Sequence, residues 1–110
     1  MKLRPKDREK RCYELSWRYL CRDERYNDGS WSLVQGEITS NISGLPYGHA
    51  WLISNTGRVY DPVHNKEYSS ADYSTELNSN ALNTYSLKEA LRIGAERGHY
   101  GPWIWPPCGR

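Results

Sequence analysis

Apolar residues at Cys12, Leu15, Tyr19 and Leu20 recur near helical spacing within a charged stretch, which predicts one helix over 8–25. Pro5 precedes it, and Asp7 or a neighbour is placed to cap it. Asn27-Asp28-Gly29-Ser30 reads as a turn, and Trp31 to Ile38 as a strand with Gly36 as a bulge. Ser40 to Gly48 reads as a polar loop. His49–Ser54, the turn Asn55-Thr56-Gly57 and Arg58–Asp61 form the strongest hairpin signal, closed by Pro62, which cannot donate to a ladder. The polar tract 64–84 carries little periodicity beyond a short helix near Ser70–Leu77. Ser86 with Glu89 is a capping box for a helix through Ala90, Leu91, Ile93 and Ala95, stopped by Gly98. The tail Gly101-Pro102-Trp103-Ile104-Trp105-Pro106-Pro107 is stiff and apolar, so at least one Trp is expected to be buried. The pattern predicts a single α+β domain over 1–110: an N-terminal helix on an antiparallel sheet of about 31–38, 48–54 and 58–62, with helix 86–97 alongside.

Composition narrows this further. The 110 residues include five Trp and nine Tyr but no Phe, and only 37% are apolar, so rings must fill a small core. No apolar run is long enough to span a bilayer, and no apolar segment follows the basic start, so a cytoplasmic protein is expected. Three Cys, at 12, 21 and 108, make a poor disulfide framework. Residues 1–25 hold nine Lys and Arg against five Asp and Glu; the rest hold six against eight. The acids among the N-terminal bases weaken a nucleic-acid reading.

Chemistry is suggested at three positions. Cys12 lies near a helix start, where the helix dipole favours a thiolate, with Lys10 and Arg11 beside it. The same residue also reads as a buried small apolar group, as Cys21 does. A nucleophilic Cys needs a base, and the base needs an orienting group. His49 and Asp61 flank the hairpin. A three-residue loop at 55–57 pairs Ile53 with Val59 and puts His49 and Asp61 on one face; a two-residue loop separates them. His64 and His99 are rival imidazoles. Metal-ligand spacing and a phosphate loop are both missing from the sequence, so no metal or cofactor is expected.

In order, a Cys opening a helix, Gly48-His49-Ala50-Trp51 and Val59-Tyr60-Asp61-Pro62 resemble the papain-like and transglutaminase-like cysteine superfamily over residues 10–63. The resemblance implies a helix on an antiparallel sheet, with Cys12 as nucleophile, His49 as general base and Asp61 as its orienter. It also implies substrate contacts at Trp51 and Tyr13. The expected activity is a cysteine hydrolase or acyltransferase acting on an amide, isopeptide or thioester bond of a protein or peptide. The ending, with Tyr85-Ser86, Glu89-Ala90 and Gly98-His99-Tyr100-Gly101-Pro102-Trp103, resembles small proteins of bacteriophages and bacteria. That implies a host cytoplasm and a possible host factor as partner. A non-catalytic phage-type inhibitor that blocks a host protein is the alternative.

Overall fold

The computed structural model describes residues 11–103. The elements run α1 (Cys12–Arg22), β1 (Trp31–Thr39), β2 (Pro46–Ser54), β3 (Arg58–Asp61), β4 (Lys66–Ser69), α2 (Ser70–Leu77), β5 (Asn80–Ser86) and α3 (Leu87–Arg97). The five strands form one antiparallel sheet in the order β4-β3-β2-β1-β5. The α+β class expected from the pattern is therefore present, with two more strands than expected. Both extra strands fall in the polar tract. Each has a single buried residue, Tyr68 in β4 and Tyr85 in β5, so neither carries the alternation that marks a half-buried strand.

Other boundaries also shift. The first helix ends at Arg22 rather than Arg25. Asp23 takes an extended backbone and its carboxylate accepts the Arg25 N–H at 2.9 Å, a local bond that competes with the helix. The polar loop after β1 is shorter than Ser40–Gly48. β2 starts at Pro46, paired with Thr39, a first-residue position that tolerates proline. The expected bulge is present: the β1–β5 register shifts between Gln35 and Gly36. The capping box at Ser86 and Glu89 is fully formed, and Gly98 ends α3 with φ +71°.

The two sheet faces bury different clusters. On one face, α1 and α3 cover Leu33, Ala50, Leu52, Tyr60 and Tyr85. Rings supply much of the packing there: Tyr26 stacks on Tyr60 at 4.8 Å and meets Trp31 edge-on at 4.7 Å. Trp103 is buried in this cluster, and its backbone N–H donates to Gln35 Oε1 at 3.0 Å, so the described start of the tail packs onto the domain. Trp105 and Cys108 lie outside the described residues. On the other face, Tyr73 of α2 packs with Val34, Ile38, Trp51, Val59 and Tyr68. Among the described residues, no helix is long and apolar enough to cross a membrane.

Candidate active site

The hairpin register decides which side chains meet. Ile53 pairs with Val59 and Leu52 with Tyr60, the register of the three-residue loop. Ser54 Oγ accepts the Arg58 N–H at 2.9 Å and Gly57 takes φ +87°, which closes that loop. His49, Trp51, Val59 and Asp61 consequently project from one face. The β2–β3 pairing ends at Leu52, while α1 packs mainly on β2, and the start of α1 lies in the His49 region.

Asp61 is fully buried and its carboxylate is surrounded by donors. His49 Nε2 lies 2.9 Å from Oδ2, and the Tyr73 hydroxyl donates to the same oxygen at 2.6 Å. The Val63 N–H donates to Oδ1 at 2.9 Å, as Pro62 turns the chain away. His64 Nδ1 stands 3.3 Å from Oδ2 and 3.1 Å from the Tyr68 hydroxyl. Burial works against ionisation of Asp61. The hydrogen bond and charge of His49, the charge of His64 and the Tyr73 bond overcome it and hold the carboxyl below its ordinary 3.8.

His49 is the link between Asp61 and Cys12. With Nε2 on Asp61, Nδ1 is the ring nitrogen left for a second partner, and the Cys12 thiol is near enough to this imidazole to favour its protonated form. Burial disfavours the protonated ring, but Asp61 and Cys12 together outweigh it and lift His49 from 6.5 to about 9. Cys12 is the first residue of α1 and is buried, 6% exposed. The N-cap residue, Arg11, makes no side-chain capping bond at this helix end. Arg11 does not simply charge the site: its guanidinium forks onto Glu14.

The remaining named residues separate. Trp51 is buried and its ring stacks 6.1 Å from that of His49, backing the imidazole from within the core. Tyr13 is half-buried, and its hydroxyl lies so close to Gly48 that a Cβ there would stand 2.6 Å away. Burial, then the nearby Cys12 and Glu37, push the Tyr13 hydroxyl up to about 12. Cys21 is away from this group, and burial raises its thiol to about 11. His99 serves the tail, accepting the Gly101 N–H on Nδ1 at 3.1 Å. Among the described residues, no group of three or more His, Cys, Asp or Glu is arranged to hold a metal ion.

Two contributors were missed by sequence reasoning. Tyr73 lies in the tract of weak pattern, and its only signal is the i, i+4 pairing with Leu77 on a short helix. Tyr47 falls in the stretch that reads as a polar loop. It instead sits on β2 two residues before His49, on the same face, with the rings 6.2 Å apart. Beside them opens a cavity of about 390 Å³ with His49, Tyr47 and His64 in its wall.

Geometrically, the arrangement joins a carboxylate, an imidazole and a thiol in series, with the thiol at a helix start. Such a series can move a proton from sulfur to nitrogen and hold the resulting charge pair. Comparison of the chain with protein-family models, curated proteins and solved structures finds no match.

Proposed function

We propose that this chain is a small cysteine hydrolase or acyltransferase of the papain-like and transglutaminase-like kind, with Cys12, His49 and Asp61 as its triad. The observation that carries the reading is a buried imidazole bonded to Asp61, with Cys12, at the start of α1, near enough to favour its protonated form. In this mechanism His49 Nδ1 takes the Cys12 proton, and the sulfur attacks the carbonyl carbon of an amide, isopeptide or thioester. The positive ring and the N-terminal end of α1 both stabilise negative charge on the sulfur. The oxyanion leans on backbone N–H groups of the first turn, including that of Cys12. His49 then protonates the leaving group, and water or an acceptor amine releases the acyl group from sulfur. Asp61 keeps the ring oriented and its charge compensated, and Tyr73 keeps Asp61 in place. The substrate in this reading is a protein or peptide, a host factor if the chain is phage-encoded.

The test is acylation by p-nitrophenyl acetate, followed by the release of nitrophenolate and by mass spectrometry of the thiols. The expected result is acetyl transfer to Cys12 ahead of Cys21 and Cys108. Cys12→Ala should abolish it, and His49→Ala should slow it by about 10²–10⁴-fold, the range for a lost general base. Asp61→Ala should be milder, since the orienting residue is the most replaceable member. Equal labelling of the three thiols, unchanged by His49→Ala, would overturn the reading.

A further inference from the structure

The cavity beside His49 has a composition that bears on which substrates fit. Apolar side chains, Ile38, Ile42, Val63 and Leu77 among them, share its lining with polar ones such as Thr39 and Ser40, and none of its described lining residues is Asp, Glu, Lys or Arg. Its volume of about 390 Å³ lies at the small end of the range for ligand sites. The rim is unusual for this surface. Ile42 is 99% exposed, Leu45 66% and Tyr47 47%, and all three belong to the β1–β2 connection and the first residues of β2 that border the cavity. A set of exposed apolar side chains next to a cavity marks a contact surface. The connection is built to hold its shape: Ser40 Oγ accepts the Ile42 and Ser43 N–H groups, and Asn78, following α2, donates to Thr39 Oγ1 at 3.2 Å.

The position of the cavity assigns its role. His49 lines it and Cys12 does not. In the proposed reaction the imidazole protonates the leaving amine, so the leaving group must lie on the imidazole's side of the scissile bond rather than on the sulfur's. We infer that this cavity binds the leaving-group side of the substrate, and that this side carries a neutral apolar substituent, as in a peptide with an aliphatic residue just after the cleaved bond. The inference rests on the hydrolase reading. By microscopic reversibility the same cavity receives an acceptor amine. The amine nitrogen then forms a bond to the acyl carbon, its proton passes to His49, the carbon–sulfur bond breaks, and Cys12 leaves as the thiolate.

Acceptor competition tests this without knowledge of the natural substrate. Acetyl-Cys12 is formed with p-nitrophenyl acetate, and glycinamide or leucinamide is added. Mass spectrometry then measures acetyl-amide against acetate. Leucinamide should capture the acetyl group about tenfold or more better than glycinamide, the scale of discrimination by an apolar pocket. Ile42→Asp, at a fully exposed position, and Leu77→Asn, at a half-buried one, should each erase most of that preference while acylation of Cys12 continues. Leu91→Asp, on exposed α3, should leave the preference intact. Equal capture of the two amines by a protein that acylates normally would overturn this inference alone, as would a preference untouched by both cavity variants. Failure to form a His49-dependent acetyl-Cys12 would overturn the hydrolase reading and this inference with it.

Discussion

Tyr73→Phe isolates one bond in the buried network around Asp61. The phenyl ring keeps the packing against Trp51 and Tyr68, whose centroids lie 5.2 and 5.0 Å from that of Tyr73. Only the 2.6 Å hydrogen bond to Asp61 Oδ2 is lost. A bond to a charged, buried acceptor contributes about 1.5–3 kcal/mol. For a domain of this size, about 2 kcal/mol corresponds to a Tm lower by roughly 8–16 °C. The sign of the pH dependence is the sharper part. The Tyr73 bond helps to hold Asp61 below its ordinary 3.8, so its stabilisation belongs to the ionised carboxylate. It is present above 3.8 and is lost as pH falls through the folded value. Melting of parent and variant should therefore differ most near neutral pH, and the gap should narrow as pH falls below 3.8. A loss of ring packing would be indifferent to pH. A Tm gap under about 2 °C at pH 7, or one that does not narrow as pH falls below 3.8, would refute the argument that Tyr73 acts through the Asp61 charge.

Three other outcomes follow from the same structure. His49 is raised from 6.5 to about 9, so its contribution is complete below pH 6.5 and is lost as pH rises through 9; urea titrations should record a fall of about 3 kcal/mol, absent in His49→Gln. Gly36→Ala should strongly destabilise the fold or detach β5, because the new Cβ runs into the Asn80 carbonyl oxygen at the bulge; circular dichroism melting near that of the parent would contradict it. Truncation after Tyr100 removes the buried Trp103 and its bond to Gln35, and should cost at least about 2 kcal/mol, read as a lower denaturation midpoint.

Local signals in the sequence were sufficient wherever a short segment decides its own conformation. The Ser86–Glu89 capping box, the Gly98 stop and the Asn55–Gly57 turn depend on neighbouring residues alone, and each is found where the residues indicate. The turn mattered most, since an odd loop length puts His49 and Asp61 on one face of the hairpin. The edge strands β4 and β5 were not legible. An edge strand with one buried residue gains its ladder from a neighbour and needs no apolar alternation of its own. The contact of Cys12 with His49 belongs to tertiary structure entirely: 37 positions separate them, and only the packing of α1 against β2 brings them together. Tyr73 is the clearest case of what sequence alone withholds. Nothing in Ser70–Leu77 marks its hydroxyl for Asp61, twelve residues earlier. It meets that carboxylate because α2 folds back over the Trp51 face of the sheet, and a carboxylate at zero exposure requires donors from whichever element packs there.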